Sequence, residues 1–330
     1  MPTTPYPDIF HELKSAVRDA GLLDRVPLRG SFEMAAVAFS LLLLYSMAFY
    51  ASAFALADSL LFASLLGLLL SVIFTRAVFV SHDILHLQYF KNKRLSFRLS
   101  YFFSAIVLST SSSWWDFKHN ISHHTWCNIP QKDEDILAFD GAFTQNQKGD
   151  KKWLRATKYL VFWGAMFFMY PAFIAQSYSF VIKRKKYKEL FLMLLHWPII
   201  WGPLFYFLSF EGALVAYLTL NFVLSPWLAF GFITNHLGCE VFDKEEGEKL
   251  SWLELQMRTS RSLKGGWFVH WFYGGLNTQV EHHLFPKAPR FNLLKVQKMT
   301  CEFAKKHNLD YFETTPLQAY VQINNALKRY

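Results

Sequence analysis

The sequence predicts an all-α membrane protein with four transmembrane helices in two hairpins, interfacial or re-entrant helices, and a cytoplasmic helical cap. Three observations support this fold class. Of the 330 residues, 52% are hydrophobic and only 18% are charged, whereas a soluble domain averages about 25% charged residues. Uncharged runs long enough to cross a bilayer recur along the chain. The loops between these runs are rich in lysine and arginine.

The same composition argues against a disordered chain, a secreted disulfide scaffold and an ordinary cytosolic enzyme. The net charge of +9 is explained by basic loops that face anionic lipid head groups, and we expect no nucleic-acid partner. The three cysteines, Cys127, Cys239 and Cys301, lie far apart and form no CxxC pair. They therefore predict neither a disulfide framework nor a thiolate metal site.

The first 31 residues carry charges of both signs and several prolines. We expect residues 1–31 to form a cytoplasmic N-terminal segment without a cleavable signal peptide. A bilayer core of about 30 Å requires roughly 20 apolar helical residues. By this measure the predicted spans cover about residues 33–57, 59–80, 190–209 and 211–235.

Two further apolar runs, 99–115 and 159–182, are predicted to lie along the interface or to re-enter. Run 159–182 lies between the lysine-rich segments 148–158 and 183–188. The positive-inside rule places both segments on the cytoplasmic side, so the run between them cannot cross once. Both chain termini are then cytoplasmic. The alternative is six spans, which also leaves the termini on one side.

Seven of the twelve histidines fall in three short clusters. Residues four apart on a helix share a face, and this spacing joins His82 to His86 and His119 to His123, with His124 one step round. In the third cluster, His282 and His283 follow Gln279 by three and four residues. Under the four-span topology all three clusters lie on the cytoplasmic face and can converge.

Neutral imidazoles bind zinc, copper, iron and nickel. A structural zinc site uses four ligands, so seven histidines fit two metal ions in a shared pocket, and iron is the redox metal that we expect there. A single histidine near a membrane interface is more often an amphipathic side chain with a satisfied hydrogen bond. That interpretation holds for His11, His196, His270 and His307.

Three segments carry a resemblance to a known family: HDILH, HNISHHTWCN and GGLNTQVEHHLFP. They resemble the three histidine boxes of the membrane fatty-acid desaturases in type, order, spacing and intervening spans. The resemblance extends from the second predicted span to the loop after Pro286. A third box that begins with Gln279 is similar to that of front-end desaturases, which insert a double bond between an existing one and the carboxyl end. The second box is similar to that of bacterial acyl-lipid desaturases.

The resemblance implies an O2-dependent enzyme with two irons that introduces a cis double bond into a long-chain acyl lipid or acyl thioester. Residues 32–290 then form the desaturase domain, and the tail 291–330 packs on the cap. The family implies a further histidine ligand before the third box, and His236 occupies that place. Gln279 would ligate a metal, directly or through water, or would hydrogen-bond a ligand. Ferredoxin or a cytochrome b5 is the implied electron donor. The sequence contains no HPGG motif of a fused cytochrome b5 domain, so we expect a separate donor protein.

Several polar residues are candidates for orienting the ligands. Asp83 lies between two histidines of the first cluster, Asn235 precedes His236, and Asn277 and Glu281 belong to the third box. We expect Asn235 to hold a metal-bound water. Asp116, Asp133 and Asp135 are further candidates to orient imidazole N–H groups, although a solvated surface patch is the simpler interpretation of the acidic stretch 133–135.

Aromatic residues near the second and third boxes are candidates to line an apolar substrate tunnel. They are Trp114, Trp115, Trp267, Trp271, Phe272 and Tyr273. The alternative is a core or interfacial aromatic belt, because Trp and Tyr accumulate at membrane interfaces. Gly274 and Gly275 are expected to turn the chain back towards the metals.

The sequence leaves two other functions open. A hydroxylase could use the same scaffold and metals, since a fold does not fix the reaction. A metal transporter or other non-redox metal-binding membrane protein would place its ligands near the centres of the spans. Here the clusters lie at span ends and in polar loops, which favours the enzyme.

Overall fold

The computed structural model describes residues 7–54, 56–130, 132–135 and 152–329. The first six residues of the predicted N-terminal segment, residues 148–151 of the predicted basic loop, and Tyr330 lie outside the described ranges. The α-helices, in chain order, are α1 Pro7–Asp19, α2 Pro27–Ala53, α3 Leu60–Leu85, α4 Lys93–Ser100, α5 Ser112–Trp115, α6 His124–Trp126, α7 Lys152–Ala165, α8 Met169–Lys183, α9 Tyr187–Leu194, α10 Gly202–Phe207, α11 Phe210–His236, α12 Lys244–Gly247, α13 Trp252–Thr259, α14 Trp267–Phe272, α15 Gln279–Leu284, α16 Leu293–Lys306 and α17 Pro316–Arg329.

The remaining regular elements are short. They are π-helices at Tyr101–Val107, Asp116–His123 and Trp197–Trp201, 3-10 helices at Met166–Phe168 and Arg290–Asn292, and strands β1 Ser262–Leu263 and β2 Glu313–Thr314. The two strands pair in parallel, with Ser262 opposite Glu313. The helical fold class that the sequence predicts is confirmed.

Within the described ranges, five helical segments are long and apolar enough to cross a membrane: Pro27–Ala53, Leu60–Leu85, Thr157–Lys183, Tyr187–Phe207 and Phe210–His236. Four of them correspond to the predicted spans. The fifth is the segment that the sequence analysis assigns to the interface. Length and apolarity fit a span there as well, so the four-span arrangement stays a prediction that rests on the charge of the flanking loops.

The chain divides into two compact units. One comprises residues 26–115 and 164–229 and is called the hairpin unit here; the other comprises residues 1–25, 116–163 and 230–330 and is called the histidine unit. Helices α7 and α11 each contribute to both.

Two helical hairpins form the frame of the hairpin unit. Pro27 starts α2, where its missing N–H costs nothing, and the Ser59 hydroxyl accepts a hydrogen bond from Phe62 N at the start of α3. The turn of the second hairpin meets the turn of the first, since Ser209 N donates to Ala57 O at 3.3 Å. The two turns therefore lie at the same end of the unit.

Helices α3 and α11 approach closely at Gly67. A Cβ atom at this position would lie 2.6 Å from Ala216 O and 2.7 Å from the Thr219 Cβ. Small residues allow such close backbone approach between membrane helices.

We expect Gly67→Ala to destabilise the protein by about 1–3 kcal/mol, because the methyl group would overpack this contact. The measurement is the melting temperature of the purified protein in detergent. Gly231→Ala is the matched control, since a Cβ atom at Gly231 has nothing within 4 Å. Equal melting of both variants and the wild type would show that the contact does not constrain the helices.

The segment 99–115 consists of short pieces in the hairpin unit. Helix α4 continues into the π-helix Tyr101–Val107, and α5 starts at Ser112. The buried carboxylate of Glu189 accepts hydrogen bonds from Ser111 Oγ and Ser113 N, both at 2.9 Å, at the start of α5. This contact fixes the helix that carries Trp114 and Trp115.

Candidate metal centre

Six of the predicted ligand histidines converge in the histidine unit. His119, His123 and His124 come from the second box, His236 from the end of α11, and His282 and His283 from α15. All except His236 are at most 3% exposed. Ring centroids lie 4.7 Å apart for His123 and His236, 4.4 Å for His124 and His283, and 4.8 Å for His124 and His282.

A π-helix positions the second box. The segment Asp116–His123 is a π-helix, in which backbone bonds join residues five apart and which is frequent at functional sites. His119 and His124 therefore face each other, with their Nε2 atoms 3.3 Å apart, and the His119 and His123 rings stack at 5.3 Å. An α-helix, as assumed from the sequence, would place His119 and His123 on one face and His124 to one side. The wider π-turn brings all three rings together.

Asp133 orients His123. Its two carboxylate oxygens lie 3.0 and 3.1 Å from His123 Nδ1, so Nδ1–H donates and Nε2 is left with a lone pair. Burial opposes a positive charge on His123, but the carboxylates of Asp133 and Asp135 outweigh it and raise the pKa of His123. The two carboxylates thus create a negative potential that favours a cation beside His123. Asp133 is 0% exposed, so the solvated-patch interpretation is wrong for this residue, and its contact with His123 fits the alternative of a carboxylate that orients an imidazole.

The candidate ligands His236 and His283 have similar acceptors at their Nδ1 atoms, and the sequence did not indicate these acceptors. His283 Nδ1 lies 2.6 Å from Gln256 Oε1, and His236 Nδ1 lies 3.2 Å from Thr259 O. Both acceptors belong to α13. A capping box formed by Ser251 and Glu254 stabilises the N-terminus of this helix. Among the described residues, the fully buried His283 Nε2 has no hydrogen-bond partner. A buried nitrogen of this kind fits a metal ligand.

Asn128 connects three segments around these ligands. Its side-chain Nδ2 lies 3.1 Å from His236 O, 3.0 Å from Glu240 O and 3.2 Å from Thr259 O, so its two N–H groups are shared among three carbonyls. Its backbone N–H donates to Asp133 Oδ2 at 2.9 Å. The residue has a φ of +55°, a conformation that asparagine tolerates better than most residues. Asn128 thereby holds the carbonyls near His236 and the carboxylate of Asp133 in one arrangement.

Cys127 lies beside the same histidines. Its Sγ is 3.3 Å from His236 Nδ1, and burial raises the pKa of its thiol well above the usual value. The thiol is therefore uncharged near neutral pH unless a metal displaces its proton. From the sequence, the three separated cysteines are expected to form no thiolate metal site, yet Cys127 lies in a group of side chains that could hold a metal ion.

Gln279 and Asn235 contact each other and His236. Gln279 Nε2 lies 2.9 Å from His236 Nε2, and Asn235 Nδ2 donates to Gln279 Oε1 at 3.3 Å and to Leu276 O at 3.0 Å. Asn235 Oδ1 is buried and has no partner among the described residues. Gln279 is thus placed to contact the His236 face of the cluster, and Asn235 retains a free acceptor.

Asn277 and Glu281 are directed away from the cluster. Asn277 Oδ1 accepts from His270 Nδ1 at 2.9 Å. The Glu281 carboxylate accepts from Ser262 Oγ and Tyr311 OH, both at 2.8 Å, and burial raises its pKa to about 7. These two residues tie the third box to the surrounding chain. Positive φ values at Gly274 and Gly275 provide the turn that the sequence predicts before this box.

Two ligand sets in the histidine unit have the spacing of a metal site. The ligand atoms of His123, Cys127, His236 and His283 all lie within 4.8 Å of one another, as do those of His119, His123 and Asp135. Imidazole-rich sets of this kind suit iron, zinc or copper. The buried Nε2 of His283 and the acceptors behind each Nδ1 show that these residues fit a bound transition metal.

His82 and His86 belong to the hairpin unit, at the end of α3. They are 3% and 5% exposed, and their ring centroids lie 4.4 Å apart. Asp83 Oδ1 lies 3.1 Å from His82 Nδ1, and its other oxygen accepts from Tyr89 OH at 2.9 Å. Tyr89 OH also lies 3.2 Å from Glu33 Oε2. Asp83 therefore contacts the first box as the sequence analysis proposes.

A pocket that is partly open to solvent lies in the hairpin unit beside His82, and its empty space, open solvent included, is about 420 Å³. Its wall is largely apolar and includes Trp114, Trp115, Tyr170, Phe173 and Leu228. Trp267 and Trp271 are instead 74% and 39% exposed, which fits the aromatic-belt alternative. Tyr273 is buried, with its OH 3.4 Å from Thr234 Oγ1.

The sequence model of the fatty acid desaturase family matches residues 58–315. The chain belongs to the fatty acid desaturase family. The match includes every histidine of the three boxes, and desaturases of this family are membrane-bound oxidoreductases. The helical structure, the apolar helices and the buried histidine clusters all accord with membership.

Individual desaturases are similar to the chain at moderate identity. The fatty acid desaturase 2-like protein FADS2B of Mus musculus is 30% identical over 82% of this chain and 57% of its own length. The acyl-lipid (9-3)-desaturase of Physcomitrium patens is 30% identical over 79% of this chain and 52% of its own length. The delta(5) fatty acid desaturase fat-4 of Caenorhabditis elegans is 28% identical over 92% and 69%. The chain thus spans little more than half the length of the first two desaturases.

Proposed function

We propose that the protein is an O2-dependent, di-iron fatty-acyl desaturase that introduces a cis double bond into a long-chain acyl lipid or acyl thioester. The observation that carries this proposal is the convergence of six histidines, five of them buried, in which Nδ1 of His123, His236 and His283 faces a protein acceptor. Such acceptors direct Nε2 lone pairs to a common centre.

Two irons and eight histidines make up the proposed site. His119, His123, His124, His236, His282 and His283 supply ligands from the histidine unit, and His82 and His86 supply the first-box ligands that the family resemblance implies. Gln279 ligates directly or through water, or hydrogen-bonds a ligand. When bound, the irons supply the O2-derived oxidant that an unactivated methylene pair requires, because no amino-acid side chain can perform that step.

The protein's own residues orient the ligands and position the substrate. Asp83, Asp133, Gln256 and Thr259 hold ring tautomers, and Asn235 offers an acceptor for a metal-bound water. The pocket beside His82 is the proposed site of the acyl chain, with Trp114 and Trp115 in its wall. An apolar wall excludes water and aligns one C–C bond.

Removing two hydrogens while O2 is reduced to two waters requires two external electrons and two protons. We propose ferredoxin or a cytochrome b5 as the donor, steered by basic loops. The histidine clusters and both termini would then lie on the cytoplasmic side of the membrane. Relatives named as delta(5), delta(6) and (9-3) desaturases support front-end regiochemistry as the first possibility to test.

Expression in a host that lacks the product, followed by mass spectrometry and double-bond mapping of the host lipids, tests the proposal. We expect a new acyl species two hydrogens lighter than its precursor, formed only in the presence of O2. The control is the same host that expresses His123→Ala. A species heavier by one oxygen would indicate the hydroxylase alternative. A zinc-loaded protein without any O2-dependent product would indicate the non-redox alternative.

A further inference from the structure

The histidine unit exposes an apolar surface on two neighbouring helices. On α14, Trp267, Phe268 and Trp271 are 74%, 61% and 39% exposed, and their ring centroids lie 6.0 to 6.3 Å apart. On α17, Leu317, Tyr320 and Val321 are 72%, 38% and 49% exposed. These six residues are called the aromatic surface here. Large exposed apolar patches mark membrane or protein contacts.

The two helices pack against each other on their opposite faces. Val269 and Phe272 of α14 pack against a buried cluster. This cluster contains Leu263, Tyr273 and, from α17, Ala319. Residues 317, 320 and 321 have the spacing of one helix face, and Ala319 and Ile323 occupy the buried face. The aromatic surface is therefore the outer side of a two-helix layer whose inner side packs on this cluster, with Val269 and Phe272 partly buried and Ala319 fully buried.

A candidate membrane-spanning helix ends beside this layer. Within the histidine unit, the Trp163 ring lies 6.2 Å from Phe230 of α11 and 5.2 Å from Tyr320 of α17. Phe230 belongs to the candidate span Phe210–His236. The aromatic surface thus continues from the flank of a helix that is apolar enough to cross a bilayer.

The length of α11 indicates where this contact lies relative to the boundary of the hydrocarbon core. The exposed charge of Glu211 marks one boundary of the hydrocarbon core, and a core of about 30 Å takes roughly 20 helical residues. The other boundary then falls near Phe230, about 9 Å before His236 at 1.5 Å per residue. Trp163 and Tyr320 lie at the level where Trp and Tyr accumulate.

We propose that α14 and α17 are seated in the interface of the bilayer that α11 crosses, with the aromatic surface in contact with lipid. Trp and Tyr rings have an apolar body and a polar edge, which suits the boundary between acyl chains and head groups. This seating holds the segment before the third box at a fixed height over the membrane.

Site-directed spin labelling in liposomes tests the proposal. Cys239 and Cys301, which are partly exposed, are replaced by serine, and the buried Cys127 is kept. Single cysteines at Phe268, Trp271 and Val321 are labelled. Each of these side chains is exposed, so the label does not disturb the core. Accessibility to O2, which partitions into lipid, is compared with accessibility to a water-soluble nickel chelate.

Two reference positions calibrate the result. Lys298, an exposed lysine of α16, gives the value for water, and Phe222, which is 64% exposed on α11, gives the value for lipid. We expect the three labels to show an O2-to-nickel accessibility ratio several-fold above that at Lys298. A ratio equal to that at Lys298 would overturn the proposal. Exclusion of both relaxants together with dipolar broadening would overturn it in favour of contact between two copies of the chain.

Discussion

Replacing His283 with alanine is expected to abolish product formation and to remove iron from the protein. The His283 ring is fully buried, its Nδ1 is held by Gln256, and its Nε2 has no hydrogen-bond partner among the described residues. Losing a ligand costs more than the roughly 10–100-fold in metal affinity or activity that loss of an outer partner causes. The measurements are iron content, expected at about two irons per chain in the wild type from the ligand set, and acyl product by mass spectrometry.

The His283→Ala variant also leaves the Gln256 carbonyl unpaired, at a cost of about 1–3 kcal/mol in stability. The solubilised His283→Ala protein must therefore be shown to be monodisperse before a loss of iron or product is attributed to the missing ligand. His307→Ala is the control, since the partly buried His307 is not among the candidate ligands and pairs with the exposed Glu12 at 3.2 Å. A His283→Ala protein that keeps its iron and its activity would remove the support for both the metal site and the proposed reaction.

Replacing Asp133 with asparagine is expected to weaken iron binding by roughly 10–100-fold while the fold persists. Asparagine keeps an acceptor for the Asn128 N–H, but it loses the negative charge that stabilises a cation near His123. Competition with a chelator measures the affinity, and the melting temperature reports on the fold.

Glu134→Gln is the matched control for Asp133→Asn, because Glu134 lies in the same loop and is only partly buried. We expect this control to bind iron as the wild type does. Equal affinities in both variants would show that Asp133 does not act on the metal. A lower melting temperature without a change in affinity would assign Asp133 a purely structural role.

The sequence predicts the helical fold class and the histidine pairs well, because both depend on local information. Uncharged runs identify the helices that are able to cross a bilayer, and His82 and His86 share one helix end. The number of spans depends on the bilayer and on loop charge. For this reason, segment 157–183 fits both a span and an interfacial helix.

The supporting residues of the site could not be predicted in the same way. Gln256 and Thr259 lie more than a hundred residues from the second box, and only tertiary packing brings them behind His283 and His236. Asp133 belongs to an acidic stretch whose composition indicates solvent, yet the fold buries it. Glu281 is next to the candidate ligand His282 in sequence, but its carboxylate accepts hydrogen bonds from Ser262 and Tyr311 instead.

The side-chain amide of Asn128 has a practical consequence for recombining this protein with a relative. The Nδ2 atom of Asn128 contacts the backbone carbonyls of residues 236, 240 and 259. A crossover placed between residues 128 and 259 would therefore combine Asn128 from one parent with one or more of these carbonyls from the other. Crossovers beyond residue 259 keep the donor and its acceptors in a single inherited block. Chimeras intended to exchange substrate preference should take that block whole.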